Sequence, residues 1–490
     1  MRNERLCSGK LAARMLAAIG LALCAPAAFA TTITIDNVNA AGIGFNDATA
    51  VTPVGGNTGT TLGQQRLIVF QQAASQWSRL LNSNVTIKVQ AQMIAQTCTA
   101  TSATLGSAGA ISTAAAFPGA PRTLTSYNIA EANALAGIDL DPANDDIRAM
   151  FNVSLDAGDP NCLGGEKWWY GIDPSVTPDA NTLPLLPVVF HELGHGLGFT
   201  SGVNSADGSF FAAPDVPVWA NYLFDTQTNL LFKAMTNGQR LASITNDPHL
   251  VWTGPNTNKR AGGYLKPGNS LIINSPGGLA GAQEAGFAQF GPQPPKNGVT
   301  GDLVLVNDGT GTATDACEAI TNGAAVSGKI ALIDRGTCSF VIKSKNAQLA
   351  GAVAVLIVNN QVDSLRLPLN MSGTDPSITI PTYSVTQALG TTIKSSGTVN
   401  VTLGYANIGV SQGCVRMFGP APVLSGSSVS HFHADATPDL LMEPALNTTI
   451  FNHVDLTLPL FDDIDWSINN LDDLLFFDGF DPNPCQHVQP

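Results

Sequence analysis

Charge is scarce in this chain. Of its 490 residues only 12% are Asp, Glu, Lys or Arg, and 37 acids face 23 bases. A formal charge of −14 repels phosphate, so neither nucleic acid nor anionic lipid is an expected partner. Beyond residue 30 no apolar run approaches the roughly 18–20 residues that cross a bilayer, so no helical membrane span is expected. No cysteine pair has C-x-x-C spacing, which speaks against a thiolate metal site, and no internal repeat is visible. Histidine and glutamate are rare, at seven each. What remains is 44% hydrophobic, enough for two or three ordered domains.

Residues 1–30 read as a secretory signal. Arg2, Arg5, Lys10 and Arg14 precede an apolar stretch from Met15 to Leu23, and Ala28-Phe29-Ala30 is an A-x-A cleavage site. Four cations and one carboxylate leave with it, taking the formal charge from −14 to −17. The chain is therefore expected to be secreted, extracellular or periplasmic. Cleavage removes Cys7 and Cys24 and leaves six cysteines, an even number that favours disulfides in an exported protein. Neighbourhood in sequence favours Cys317–Cys338. The other pairings stay open.

Periodicity predicts a strand at 32–35, an amphipathic helix over Gln64–Leu81, strands over Val85–Met93 and Ile147–Val153, and a helix over about Leu185–Leu197. Pro187 is tolerable only in the first turn of that last helix. Residues 201–297 suggest one helical piece near Val218–Met235 and otherwise no definite fold. A new domain is expected from Gly298 to 405. Its strands are Leu303–Val306, Lys329–Ile333, Ala352–Val358, Ile378–Ile380 and Val399–Leu403, with a helix at Ser339–Ala350. Residues 406–475 return to a different texture, and 476–490 form a tail.

The stretch HELGHGLGFTSG, residues 191–202, carries the chemistry. On a helix, i and i+4 share a face, so His191 and His195 can offer nitrogens to one zinc ion. Glu192 is turned about 100° from His191 and reaches a zinc-activated water rather than the ion. It is the expected general acid/base of a peptide hydrolysis without a covalent intermediate. At these residue frequencies a chance H-E-x-x-H arises about once in 700 such chains. The apolar run Leu185-Leu186-Pro187-Val188-Val189-Phe190 argues against a plain polar surface. Gly194 and Gly196, each costing about 1 kcal/mol in a helix, imply close packing around the site, and Gly198 fits its C-terminal turn.

A catalytic zinc takes three protein ligands, and this stretch has two. A downstream glutamate is a weak candidate, because the next after Glu192 is Glu284, in a Gly/Ala-rich segment expected to be a loop. The compact form H-E-x-x-H-x-x-G-x-x-H fails at Ser201. The residues alone leave His249, His431, His433, His453 and His487 open. His431 stands in Ser430-His431-Phe432, with Met442 further along in Leu441-Met442-Glu443-Pro444. Together with His191, Glu192, His195, Gly198 and Phe199, this resembles the leishmanolysin-like metzincin metallopeptidases, over about 60–200 and 425–470. The resemblance implies that His431 is the third ligand and that Met442 lies beneath the zinc as an apolar floor. His433, two residues on and on the same side of an extended chain, competes for the role.

The stretch GKIALIDRGTCSFVIKSKNAQLAGAVAVLIVNN, residues 328–360, resembles the protease-associated domain, carried by Asp334-Arg335-Gly336, Cys338, Phe340, Lys343 and Gly351-Ala352-Val353. Such domains look like lids or substrate-docking modules without catalysis of their own. The expected architecture is thus an α/β (α+β) metzincin-like catalytic domain, residues 31–200 and 406–475, split by a small α/β insertion. One catalytic zinc and protein or peptide substrates are implied. Asp462, Asp463, Asp465, Asp472, Asp473, Asp478 and Asp481 offer oxygen ligands of the kind calcium takes, but without EF-hand spacing they read as solvated acidic loops. The competing reading is an exported peptide- or surface-binding protein with a structural zinc.

Overall fold

A computed structural model describes residues 31–469, apart from 248, 266, 296–297, 362–367, 408, 412 and 446–454, together with Cys485. The signal-like segment 1–30, His453, His487, Asp472, Asp473, Asp478, Asp481 and the tail aromatics Phe476, Phe477 and Phe480 lie outside the described residues.

The N-terminal part is built on a four-stranded sheet. Strands β1 (Ile33–Asn37), β2 (Ile87–Ile94) and β4 (Ile147–Asn152) run parallel, and β3 (Gly106–Ala110) closes one edge antiparallel to β4. Helix α1 (Leu62–Leu80) starts at a capping box in which Thr61 and Gln64 exchange hydrogen bonds, and it buries Val69, Phe70, Ala73 and Trp77. Helix α2 (Ile129–Ala136) precedes β4, and α3 (Leu185–Leu197) carries the histidine pair. The Trp77 indole donates to the Phe190 carbonyl at 2.9 Å, tying α1 to α3. Pro187 sits in the first turn of α3, where its missing N–H has no partner to lose.

Next comes a five-stranded antiparallel sheet holding β5 (Leu223–Asp225), β6 (Leu250–Trp252) and, from far along the chain, β13 (Cys414–Arg416). The helix expected over Val218–Met235 is not formed. Two single 3-10 turns, Val218–Asn221 and Phe232–Ala234, flank a hairpin between β5 and Leu230–Leu231. Asp225 sets the hairpin: its carboxylate accepts the N–H groups of Gln227 and Thr228 at 2.8 and 3.0 Å, an Asx turn that outcompetes helix continuation.

After α4 (Pro255–Tyr264) the chain enters an eight-stranded sheet. The sheet itself begins before Gly298, because β7 (Pro267–Ser275) pairs with β12 (Asn400–Asn407) along its length. The sheet continues through β8 (Val299–Leu305), β9 (Ile330–Asp334), β10 (Ala354–Val358) and β11 (Thr382–Val385), parallel from β8 to β11. Glu284 ends a strand, Gly281–Glu284, rather than lying in a loop. The strand expected at Ile378–Ile380 is displaced to β11. Pro381 has no N–H for a ladder, though its carbonyl accepts from Val355. Helices α5 (Phe340–Leu349) and α6 (Gln387–Ser395) are capped by Ser339 and Thr386.

One core gathers residues from both sides of this insertion, from Phe45 through Phe199 and Trp252 to Met442, Phe461 and Ile468. The inserted sheet buries two separate clusters on its faces. Disulfides join Cys98–Cys162, Cys317–Cys338 and Cys414–Cys485. Among the described residues no helix is long and apolar enough to cross a membrane.

The glycines of α3 are explained by this packing. A Cβ at Gly196 would come within 2.4 Å of Ile147 Cγ2, on a buried β-branched side chain that has nowhere to go. Gly196→Ala is therefore expected to lower stability by about 1–3 kcal/mol despite alanine's better helix propensity. Urea unfolding should also show that Gly196→Ala with Ile147→Ala loses less than the sum of the two single changes.

Candidate metal centre

Helix α3 presents His191 and His195 one turn apart. A third imidazole, His431, arrives from beyond the inserted sheet. Strand β6 leads out to the insertion, β13 returns from it beside β6, and Met417 pairs with Phe432 in the next ladder outward. The Phe418 N–H donates to the His431 carbonyl at 2.9 Å. Ser201, which stands where the compact motif would need histidine, donates its N–H to Ser430 Oγ at 3.1 Å. The long excursion thus returns beside the place where a short one would have ended. No sequence signal short of the family resemblance points to the Ser201–Ser430 contact.

The three Nε2 atoms form a near-equilateral triangle, with separations of 3.2 Å (His191–His195), 3.2 Å (His191–His431) and 3.1 Å (His195–His431). Each Nδ1 faces a backbone carbonyl: Leu441 for His191 at 2.6 Å, Phe199 for His195 at 2.7 Å and Ser427 for His431 at 2.8 Å. A carbonyl only accepts, so each Nδ1 carries the proton and each Nε2 presents a lone pair. Three lone pairs then converge with no donor between them. Burial pushes the pKa of His191 down to about 4, against the Leu441 carbonyl. Burial and then His191 push that of His195 to about 3, and His431 is lowered in the same way, by burial and its two neighbours. Protonation is a poor remedy for the repulsion. A shared cation relieves it. Two imidazole nitrogens on a tetrahedral zinc at 2.0–2.1 Å sit about 3.3–3.4 Å apart, close to the spacing found.

Glu192 projects beside this triangle. Its Oε2 accepts the Ala108 N–H of edge strand β3 at 3.0 Å, and burial outweighs that bond to push its carboxyl up to about 7. Met442 lies against the helix backbone between the two α3 histidines, so a Cβ on Gly194 would come within 2.8 Å of its sulfur. The Phe432 N–H donates to the Met442 carbonyl at 2.8 Å, so one short segment fixes both His191 and the neighbour of His431. Gly198 has φ +135°, a conformation that favours glycine, and it turns the chain so that the Phe199 carbonyl meets His195.

The centre opens on a cleft of about 840 Å³ lined by β3, Trp219, Leu424 and Ser427. Among its described lining residues Glu192 is the sole carboxylate, and there is no lysine or arginine. His249 is not part of the site: its Nδ1 lies 3.0 Å from Thr226 Oγ1. His433 is held elsewhere, between Asp247 and Asp435. Asp463 accepts from Trp252 and Thr257 within the core, and Asp465 pairs with Arg122. Neither is therefore an exposed loop acid. Asp308, Asp315 and Glu318, in the connection that follows β8, form a second acidic group, with Asp308 and Asp315 accepting the Cys317 N–H.

Residues 299–393 match the PA domain family. The chain is 35% identical over 80 residues to signal peptide peptidase-like 2 of Arabidopsis thaliana, 16% of this chain and 14% of that protein. It is 28% identical over 161 residues to vacuolar-sorting receptor 2 of Arabidopsis thaliana, 30% of this chain and 25% of the receptor. A human ER degradation-enhancing alpha-mannosidase-like protein 3 shares 39% over 80 residues, 16% of this chain and 8% of that protein. The chain thus spans a quarter or less of each relative. Among solved structures, a zinc aminopeptidase from Bacillus subtilis superposes with a TM-score of 0.21 at 22% identity, over 31% of this chain and 35% of that one. Overlap at that level carries no functional weight.

Zinc added to the metal-free chain should raise its melting temperature. The rise should vanish in His191→Ala, His195→Ala and His431→Ala but persist in His249→Ala. A separate expectation concerns Glu443, whose Oε1 accepts the Leu440 N–H and whose carboxyl is pushed up to about 9, first by burial and then by Asp439, Asp435 and Asp455. The folded state keeps a proton that the unfolded chain loses above its ordinary pKa near 4.5. Stability should therefore fall as pH rises from about 5 to 9, by at most about 1.4 kcal/mol per pH unit from this group. Glu443→Gln should flatten that slope in denaturant titrations.

Proposed function

We propose that the chain is a secreted zinc-dependent endopeptidase of the leishmanolysin-like metzincin kind, its catalytic domain split by the PA unit. His191, His195 and His431 hold the zinc, and Glu192 is the general acid/base. The observation that carries this reading is the triangle of converging Nε2 lone pairs beside a half-buried carboxylate in an open cleft. When bound, zinc would supply Lewis-acid polarisation of a carbonyl and a water acidified from a pKa of about 15.7 towards 7. The chain's own residues do the rest. Edge strand β3 lines the cleft and gives an extended substrate main-chain partners. Glu192, oriented by the Ala108 N–H, takes the proton of the attacking water and passes it to the leaving amine. Met442 supports the helix from below. The PA domain and three disulfides fit an exported, protease-associated setting.

A second reading, a non-catalytic binding protein with a structural zinc, is favoured by the vacuolar-sorting receptors among the relatives. Glu192 weighs against it, since a structural site closes with a fourth ligand and has no use for a base. Casein digestion with mass spectrometry of the fragments separates the two. The endopeptidase should release internal cuts, and Glu192→Gln should keep its zinc while losing activity by about 10²–10⁴-fold. A zinc-loaded wild type that cuts nothing would leave the binding protein standing.

A further inference from the structure

Two residues beyond His431 lies a second histidine on the same ladder, and the fold has to choose between them. The ladder runs from 416–418 to 431–433: Phe418 N–H donates to His431 and His433 N–H to Arg416, at 2.9 and 3.1 Å. Side chains in an extended strand repeat every two residues, so a one-residue slip would expose the buried face, whereas a two-residue slip would not. In Ser430-His431-Phe432-His433 a two-residue slip would exchange imidazole for imidazole. The slip would also put Ala434 in the place of Phe432, which is fully buried against Phe199, so packing already opposes it.

Beside that packing, a charged cluster surrounds the second histidine. Arg416 Nη1 donates to Asp435 at 2.7 Å and Nη2 to Asp247 at 2.5 Å, with His433 Nε2 3.1 Å from Nη2. His433 Nδ1 lies 2.6 Å from Asp435, and its Nε2 lies 3.2 Å from Asp247. The Arg416, His433 and Asp435 side chains are only 4%, 6% and 9% exposed, with Asp247 closing the cluster from the rim at 28%. A buried cluster of this kind is weak evidence of stability, since desolvation offsets much of the attraction. Its placement is more telling. Asp247 precedes the inserted sheet and the other three come after it, so the cluster forms only when the excursion has closed in one register.

We infer that Asp247, Arg416 and Asp435 are positioning residues that capture His433 and thereby select His431 as the third ligand. This rests on the proposed zinc site. The same charges that exclude His433 hold the ladder so that His431 Nε2 meets the other two nitrogens.

The test measures zinc affinity of the full chain and the visible spectrum of its cobalt-substituted form. Removing the three charges together, in Arg416→Met with Asp247→Asn and Asp435→Asn, avoids leaving Arg416 or either carboxylate buried without the other. Asp247→Asn alone, at the rim, is the milder variant. Zinc affinity should fall about 10- to 100-fold, the scale at which partners behind a metal ligand act, and the cobalt bands should change. Melting of the metal-free protein should stay near wild type. In the triple variant His431→Ala should leave measurable zinc binding, because His433 is released to replace it. Affinity within twofold of wild type with unchanged cobalt bands would overturn the inference, as would a fall in affinity that only tracks a lower melting temperature. Loss of zinc from His431→Ala in the otherwise native chain secures the zinc reading separately. A native chain that binds no zinc removes both.

Discussion

Three imidazole lone pairs about 3.2 Å apart make an arrangement that a folded protein does not keep without cause. In the absence of a shared cation they repel, and burial closes the usual escape of protonating one of them. Much of the neighbourhood makes sense as the means of holding them there. Three separate carbonyls, from Leu441, Phe199 and Ser427, accept hydrogen bonds from the Nδ1–H groups and fix the tautomers. Gly194 and Gly196 let the α3 backbone approach Met442 and Ile147, and Gly198 turns the chain so that Phe199 can reach back to His195.

The local half of this site was legible in the sequence because H-E-x-x-H places its groups by helix geometry alone. The distant half was not. His431, His433, His249 and His453 were equivalent as residues, and only the family resemblance separated them. Strands β9 and β10 were legible as compact apolar runs, each with both faces covered. Segment 201–297 was opaque for a physical reason. Its strands are two to nine residues long, and two of them pair with partners more than a hundred positions away, as Val251 does with Arg416 and Leu271 with Leu403. Their alternation is too short to read, and their stability comes from neighbours that a local window never contains.

That long-range pairing gives the insertion its meaning. A Cβ on Gly409 would lie within 3.5 Å of Leu265 Cδ1, so the chain leaves and re-enters the histidine-bearing part at nearly one point. An insertion whose ends meet adds little closure cost, since that cost grows only logarithmically with loop length. It does burden the register of the returning chain, because β13 and the 431–433 ladder must find β6 again. The Cys414–Cys485 bond and the Arg416 cluster both act on that strand.

The central claim, that three histidines from both sides of the insertion share one zinc, is tested most directly by X-ray absorption at the zinc edge of the loaded protein. The account predicts three imidazole nitrogens at about 2.0–2.1 Å, with the remaining scattering from a light oxygen atom. Sulfur at about 2.3 Å, or only two imidazoles, would contradict it.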